Sequence, residues 1–284
     1  MENLEKFISD SLEEDIKNGD ITSLSCIEKS KSTSAELISK DEGIIAGIEL
    51  AKQIFEFNST NLLFTRFVSD GEKIKNGQKL LSVSGNAREI LAKERFVLNS
   101  MQRMSGIATK TKKFQNLINH TNCKILDTRK TTPLNRIIEK WAVRIGGGTN
   151  HRFGLYDEIM IKDNHIDFNE DIQTTVKKTI HYLKKNNLDY NIIVEVRSID
   201  ELKKILQFKE INRIVLDNFN IDHTNKAVDI CRNIFKIESS GNIDFDNIVE
   251  YAECGVDFIS CGSLTHSVES VSYTHLRAHE TEAD

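Results

Sequence analysis

The sequence has no uninterrupted apolar run that approaches the length needed to cross a bilayer. Residues 1–14 carry acidic side chains within an amphipathic pattern, which is unlike a secretory signal. The five cysteines are scattered, odd in number and never spaced as CxxC, so neither a disulfide framework nor a zinc site is expected. Together these absences predict a cytoplasmic protein with reduced thiols and no membrane association.

An excess of positive charge is also missing. The formal net charge is -5 at pH 7, so the molecule as a whole is not expected to bind nucleic acid or a membrane surface. Any anion that it binds must therefore be held by a local group of cations. No GxGxxG motif follows a predicted strand, which disfavours a Rossmann dinucleotide site.

The first part of the chain has the pattern of a small, mostly antiparallel sheet with flanking helices. Residues 1–20 have the spacing of an amphipathic helix. The extended runs that follow are 35–39, 43–47, 62–68 and 79–83, with the turn formers Asp70-Gly71 and Asn76-Gly77 between them. Helices are predicted over 44–57 and from Ala87 to about Asn119, the latter with an apolar stripe of Ile90, Leu91, Val97, Leu98 and Met101.

The rest of the chain alternates short apolar runs with amphipathic helical segments, which implies right-handed crossovers and a parallel sheet. The predicted strands are 124–126, 158–161, 192–196, 213–216, 235–237 and 258–259. Each is followed by polar or charged residues, namely Asp127 and Arg129, Lys162, Glu195, Asp217, Glu238 and Ser260. In an α/β barrel these strand ends converge on one mouth, where active sites lie. The alternative is that the strand ends are polar simply because they reach solvent.

Cations concentrate between residues 129 and 165. Those that flank glycines or follow apolar runs are Arg129, Lys130, His151, Arg152 and Lys162. We expect them to point into the mouth and to bind a small polyanion, because arginine forks match carboxylates and phosphates. Three other cations, Arg136, Lys140 and Arg144, are helically spaced and are predicted to form a solvated basic face.

Two later loops, 239–242 and 260–263, follow strands at positions where α/β barrels commonly hold phosphate through backbone N–H groups. Glu195 and Asp217 are candidates to hold Mg²⁺, which usually bridges one or two carboxylates to substrate phosphates. As an alternative, these two acids form salt bridges with the nearby cations.

Eight segments closely resemble quinolinate phosphoribosyltransferases. They are GDIT (19–22), GIIAG (43–47), ERFVLNSMQRMSGIAT (94–109), LDTRKTTP (126–133), GGGTNHRFGLYDEIMIKDNHI (146–166), VLDNF (215–219), ESSGNI (238–243) and CGSLTHS (261–267). The resemblance covers about residues 10–270 in order, and the NHR and IKDNH elements are highly specific. It implies an open α/β sandwich over 1–108, to which 267–271 return, and an incomplete, TIM-like α/β barrel of parallel strands over 109–266.

The resemblance also implies an activity and an assembly. The family joins quinolinate to phosphoribosyl pyrophosphate with Mg²⁺, releases pyrophosphate and carbon dioxide, and makes nicotinate mononucleotide for NAD synthesis. A homo-oligomer, dimer or hexamer, is implied, in which Arg95 reaches the active site of the neighbouring subunit.

Individual roles follow from the motifs. The resemblance implies that Arg129, His151, Arg152 and Lys162 bind the quinolinate carboxylates. It implies that Lys130 contacts the pyrophosphate-bearing substrate and that Glu195 and Asp217 lie by the ribose and metal, so these three are the expected catalytic residues. The phosphate end would be lined by Ser240, Gly241, Gly262 and Ser263.

The chain departs from the family pattern in three places. Leu134 stands where the family often has a glycine. Ile193 replaces the first acid of a Glu-x-Glu pair that many members carry, so metal binding is expected to depend more on Asp217. Residues 272–284 do not resemble the family's apolar closing strand and are predicted to be a non-native, disordered tail. Deletion of this tail from Tyr273 onward is therefore expected to leave the activity and the melting temperature nearly unchanged. His275 and His279 have helical metal-ligand spacing, but the disordered tail is the preferred interpretation.

Two other functions are compatible with the same pattern. One is a paralogous phosphoribosyltransferase with another acceptor, such as the molybdenum-associated relatives of the family. The other is a non-catalytic sensor that binds a phosphorylated ligand on the barrel. The complete set of cations and acids argues against both.

Overall fold

A computed structural model describes residues 2–59, 61–232, 234–274 and 277–279. The chain forms two compact units, the first comprising Met1–Lys112, Thr132–Gly147 and Ser267–Asp284, and the second Lys113–Thr131 and Gly148–His266. Residues 132–147, which the sequence assigns to the barrel, thus group with the first unit. Within the described ranges, none of the helices combines the length and the apolar character that a bilayer crossing requires.

The described residues form twelve strands and eleven helices. The strands are β1 (Ser32–Ile38), β2 (Gly43–Ile44), β3 (Leu63–Arg66), β4 (Lys73–Ile74), β5 (Lys79–Asn86), β6 (Lys124–Leu126), β7 (Ile159–Ile161), β8 (Ile192–Val196), β9 (Ile211–Asp217), β10 (Lys236–Ser240), β11 (Phe258–Ser260) and β12 (Arg277–His279). The helices are α1 (Glu2–Ile16), α2 (Ile21–Cys26), α3 (Ile48–Glu56), α4 (Ala87–Leu117), α5 (Arg136–Ile145), α6 (Asp163–Asp167), α7 (Ile172–Asn186), α8 (Ile199–Ile205), α9 (Ile221–Cys231), α10 (Ile248–Glu253) and α11 (Ser263–His266).

The first unit contains an antiparallel sheet with the strand order β12-β1-β5-β3 and a smaller pair of β2 and β4. The buried residues of β1, Ala35 and Leu37, alternate with less buried ones, as expected for a sheet with one covered face, whereas Leu80 and Leu81 of β5 are both buried. Helix α4 buries Ile90, Val97, Leu98 and Met101, as the sequence predicts. The prediction is wrong for Leu91, which is 43% exposed because it lies at the edge of the buried stripe.

Helix α5 does not present the solvated basic face that its spacing predicts. Arg144 is exposed, but Lys140 is only 2% exposed. Its neighbour Glu139 is fully buried and accepts hydrogen bonds from Arg103 Nε (3.1 Å) and Nη2 (2.9 Å). A charged pair of this kind can be buried because its hydrogen-bonding groups are satisfied, which residue spacing alone does not reveal.

The second unit is an incomplete α/β barrel, which confirms the predicted fold class. Its six strands are all parallel, in the order β6-β11-β10-β9-β8-β7. The helices α7 to α10 connect successive strands. Parallel register pairs Ser240 with Asp217 and Ser260 with Leu126, so the carboxyl ends of the strands lie along one edge of the sheet.

The two internal departures from the family pattern have different consequences. Leu134 has a backbone φ of 66° and is 92% exposed, so this leucine occupies the left-handed conformation that favours glycine. Ile193 is 1% exposed and lies in register with Arg213 of β9. The position of the first acid in Glu-x-Glu is therefore filled here by a buried apolar side chain.

Residues 272–274 are part of the fold, so the prediction of a disordered tail is wrong for these three residues. Tyr273 is 4% exposed, and its hydroxyl donates to Ser105 Oγ at 2.6 Å. Backbone hydrogen bonds join Ser272 O to Lys40 N and Thr274 N to Ile38 O. Strand β12 pairs with β1 farther on, whereas position 275 of the suggested histidine pair lies outside the described residues.

Replacing Tyr273 by alanine should lower the free energy of unfolding by roughly 3 to 5 kcal/mol, the range for removing a buried aromatic ring. The loss combines an unfilled cavity with the missing hydrogen bond to Ser105. Urea denaturation of Tyr273→Ala measures it, with Tyr182→Ala as the control. Tyr182 is 57% exposed, so its removal should change the free energy by less than about 0.5 kcal/mol. Equal stability of the two variants would restore the tail hypothesis.

Candidate active site

A cavity of about 780 Å³ opens at the carboxyl ends of the parallel strands in the second unit. Every site residue that the sequence predicts, with the exception of Arg95, lines it. These residues are Arg129, Lys130, His151, Arg152, Lys162, Glu195, Asp217, Ser240, Gly241, Gly262 and Ser263. Arg95 is exposed on α4 of the first unit. The barrel mouth thus gathers residues that are up to 134 positions apart, from 129 to 263.

One part of the cavity wall is strongly cationic. Arg152 is only 8% exposed, and its Nη1 donates to the main-chain oxygen of Glu158 at 3.2 Å. Burial lowers the pKa of Arg152, and the positive charge of nearby Arg129 lowers it further. Two arginines that repel each other in a partly buried place are stabilised by a bound anion. This part of the wall is therefore suited to a carboxylate or phosphate.

His151 is held on three sides. Its main-chain N–H donates to Asp127 Oδ1 (2.8 Å), and its ring Nδ1 accepts the main-chain N–H of Arg152 (2.6 Å). The ring Nε2 lies 3.5 Å from Glu238 Oε2. Asp127, which follows β6, is fully buried and also accepts from Asn150 Nδ2 at 2.5 Å. Asp127 therefore fixes the main chain of the NHR segment instead of lining the cavity.

The two candidate metal-binding acids lie at the ends of adjacent strands. Glu195 is 7% exposed and pairs with Lys162 Nζ at 2.9 Å. Burial raises the pKa of Glu195, the contact with Lys162 opposes this, and the neighbouring charge of Asp217 raises it again. The part of the chain that the structure describes contains no group of three or more His, Cys, Asp or Glu side chains placed to hold a metal. Two carboxylates beside a cavity fit an ion such as Mg²⁺ that takes its other ligands from substrate phosphates and water.

The loop after β10 is shaped by glycine and asparagine. Gly241 has a φ of 96°, and a Cβ at this position would lie 2.3 Å from Asn218 Oδ1. Asn218 accepts from Asn242 Nδ2 at 3.0 Å and donates from its own Nδ2 to Asp217 Oδ1 at 3.0 Å. Hydrogen bonds therefore connect the carboxylate of Asp217 to the loop after β10, and the close contact leaves room for no side chain at position 241.

The loop after β11 adjoins Lys130. A Cβ on Gly262 would lie 2.9 Å from Lys130 Cδ and 3.2 Å from His266 Cδ2. Thr265 Oγ1 donates to the main-chain oxygen of Lys130 at 2.8 Å, which fixes the main chain of this lysine. The two glycine-containing loops and Lys130 thus border the same side of the cavity.

Sequence reasoning missed several lining residues, among them Thr128, Met160, Asn218, Asn242, Asp244, Cys261 and His266. Asn218 lies in the VLDNF segment and His266 in CGSLTHS, so the motif evidence could have identified both. Met160 lies in the 146–166 segment, so the motif evidence could have identified it as well. Asp244 lies outside the eight segments, and its position depends on how the loop after β10 folds.

Comparison with known proteins identifies the family of the chain. A family model described as "Quinolinate phosphoribosyl transferase, N-terminal domain" matches residues 20–105, and the corresponding C-terminal domain model matches 107–274. The chain is 40% identical over 276 residues to "Quinolinate phosphoribosyltransferase [decarboxylating] 2, mitochondrial" of Nicotiana glauca, which covers 92% of this chain and 78% of the relative. It is 39% identical to a "Probable nicotinate-nucleotide pyrophosphorylase [carboxylating]" of Bacillus subtilis, with 94% and 91% covered.

A solved structure shows the same fold. The nicotinate-nucleotide pyrophosphorylase from Francisella tularensis superposes with a TM-score of 0.88 at 37% identity, covering 98% of this chain and 96% of that one. Both units of the chain therefore have counterparts in an enzyme of known structure.

Proposed function

The chain belongs to the quinolinate phosphoribosyltransferase family, and we propose that the barrel mouth is the place where its reaction occurs. The enzyme transfers the phosphoribosyl group of phosphoribosyl pyrophosphate to quinolinate. The products are nicotinate mononucleotide, pyrophosphate and carbon dioxide, and the pathway is NAD biosynthesis. This is the activity in the names of the relatives that match most of the chain.

The cationic part of the wall carries the proposal. The protein has a net charge of -5, yet Arg129, Arg152 and Lys162 line one cavity. Quinolinate carries two adjacent carboxylates, and guanidinium forks bind carboxylates through paired hydrogen bonds. We assign the two arginines and Lys162 to these carboxylates. His151 is assigned beside them, with its ring held toward Glu238.

The phosphate-bearing substrate is assigned to the other side of the cavity. Ser240, Gly241, Gly262 and Ser263 offer main-chain N–H groups and hydroxyls. Lys130 adds a positive charge for the pyrophosphate. Glu195 and Asp217 would hold Mg²⁺, which would neutralise the pyrophosphate and help it to leave. The support for this metal is the acid pair itself.

The chemistry needs positioning more than a protein nucleophile. The ring nitrogen of quinolinate attacks C1 of the ribose as the bond to pyrophosphate breaks, and the ribose acquires oxocarbenium character. Carboxylates of Glu195 and Asp217 stabilise that positive charge electrostatically. The alkylated ring nitrogen is cationic, so it stabilises the electron pair that stays on C2 when the carboxylate departs as carbon dioxide, and this pair then takes a proton from water.

We further propose a homo-oligomer, dimer or hexamer, in which Arg95 completes the partner's cavity. The exposure of Arg95 on α4 supports this assignment. A cytoplasmic location is proposed on the basis of the scattered cysteines, although plant relatives are named mitochondrial or chloroplastic.

Pyrophosphate release with quinolinate and with nicotinate tests the function. Nicotinate lacks one carboxylate, so part of the cationic wall stays unpaired when it binds. Its kcat/KM should therefore be at least about 100-fold lower than that of quinolinate. Comparable turnover of the two acids would contradict the assignment of Arg129, Arg152 and Lys162. Release with a different acceptor alone would favour a paralogous transferase, and binding of phosphoribosyl pyrophosphate without release would favour a sensor.

A further inference from the structure

One arginine lies inside the barrel without lining the cavity. The side chain of Arg213, on β9, is 12% exposed. Its Nη1 lies 3.2 Å from Glu238 Oε2, and its Nη2 lies 3.5 Å from Glu158 Oε2. The guanidinium carbon also lies 5.1 Å from the centre of the Phe258 ring. A buried cation requires such partners, because its desolvation is otherwise strongly unfavourable.

The first contact of Arg213 leads to His151. Glu238 is 1% exposed, and the same Oε2 that faces Arg213 lies 3.5 Å from His151 Nε2. Burial raises the pKa of Glu238, but the contacts with His151 and Arg213 outweigh burial and leave the pKa below its usual range. Glu238 is therefore a buried carboxyl group between two nitrogen groups that favour its ionised form.

The tautomer of His151 follows from the hydrogen bond that its ring Nδ1 accepts from the main chain of Arg152. The main-chain N–H of Arg152 can only donate, so Nδ1 of His151 must present a lone pair to it at 2.6 Å. The ring proton is consequently on Nε2, the nitrogen that lies 3.5 Å from Glu238 Oε2. His151 thus joins the main chain of Arg152 to the carboxylate that Arg213 holds.

The second contact of Arg213 leads to Arg152 by another route. Glu158 uses its side chain to contact Arg213, and its main-chain oxygen accepts Arg152 Nη1 at 3.2 Å. Glu158 Oε1 also accepts from Asn191 Nδ2 at 3.0 Å, which restrains the carboxylate. Arg213 therefore touches two of the acids that restrain the 151–152 segment: Glu238 at the His151 ring and Glu158 at the Arg152 guanidinium.

We propose that Arg213 is a positioning residue for the dicarboxylate substrate, acting through Glu238 and Glu158 to fix His151 and Arg152. This inference rests on the proposed function, which assigns Arg152 to quinolinate. The phosphate side of the cavity is built from β10, β11 and their loops, and of the two ion-pair partners of Arg213 only Glu238 belongs to it. Loss of Arg213 should therefore affect one substrate more than the other.

The test is steady-state kinetics of Arg213→Met with each substrate varied in turn. The KM for quinolinate should rise at least roughly tenfold, since displacement of a binding group by about 1 Å has effects of this order or larger. The KM for phosphoribosyl pyrophosphate should stay within about twofold of wild type. Arg213→Lys keeps a cation and should recover part of the loss. Arg197→Met is the control, because Arg197 makes ion pairs with Asp167 and Glu201 on the surface.

A second variant covers the case in which Arg213→Met does not fold. Glu238→Gln keeps the shape of the side chain and removes its charge. It should therefore also raise the KM for quinolinate much more than the KM for phosphoribosyl pyrophosphate. Where both variants fold, the double variant should be little worse than the poorer single variant, since the two residues act in one chain of contacts. Calorimetric titration with quinolinate should show the same weakening.

Two results would overturn the inference. Equal rises in both KM values, or a lower melting temperature with unchanged KM values, would give Arg213 a merely structural role. Failure of the wild-type enzyme to use quinolinate would instead contradict the proposed function, and the role of Arg213 in quinolinate binding would then be contradicted as well.

Discussion

Alanine at position 241 should reduce kcat/KM for phosphoribosyl pyrophosphate by about 100-fold or more, the order expected when binding groups are displaced by an ångström. The new Cβ would lie 2.3 Å from Asn218 Oδ1, and the φ of 96° is unfavourable for any residue with a side chain. Either Asn218 or the loop must move. Because Asn218 also hydrogen-bonds Asp217, the displacement reaches the candidate metal ligand.

Gly255→Ala is the matched control for this experiment. Gly255 lies in the same unit with a φ of 88°, but a Cβ there meets only Val228 Cγ1, at 3.7 Å. It should therefore lose about 1 kcal/mol of stability from backbone strain alone and keep its kinetic constants. A Gly241→Ala enzyme with wild-type KM for phosphoribosyl pyrophosphate would show that this loop does not hold the substrate.

Mixing two inactive variants should restore activity if Arg95 acts across a subunit interface. Arg95→Ala and Lys162→Ala should each be nearly inactive, because every site loses one cation. A two-fold interface is self-complementary, so in a mixed dimer one site takes Arg95 and Lys162 from different chains and is intact, while the other carries both lesions. Unfolding and refolding an equal mixture should recover roughly a quarter of wild-type activity, from half heterodimers with one active site in two.

The control mixture is Arg152→Ala with Lys162→Ala. Both residues line the cavity of one chain, so each heterodimer site keeps one lesion and no activity should return. Native mass spectrometry confirms that heterodimers form. Lack of recovery in the Arg95 mixture, with heterodimers present, would place Arg95 in its own site or outside catalysis.

The strands of the second unit and many of its cavity residues could be predicted from the sequence because local patterns determine them. The apolar runs at 124–126 and 192–196 are observed as strands with the same bounds. Polar residues that directly follow such strands, such as Lys162 and Asp217, lie at the mouth because parallel strands end at one edge.

Other features depend on partners that are distant in the sequence. Tyr273 lies in a polar stretch, and its burial depends on Ser105, 168 positions earlier. Lys140 has the spacing of an exposed helical residue, but tertiary packing buries it. Arg213 begins a predicted strand, and its two acid partners come from segments on either side of β9 in the sheet. No local pattern identifies such pairs.

The most direct test of the central claim uses quinolinate labelled in its C2 carboxylate, together with phosphoribosyl pyrophosphate and Mg²⁺. If the barrel mouth binds the dicarboxylate and the alkylated ring then loses carbon dioxide, labelled carbon dioxide and pyrophosphate should form in equal amounts, and Lys162→Ala should abolish both. Pyrophosphate release without labelled carbon dioxide, or the absence of both products with the folded wild-type protein, would contradict the account.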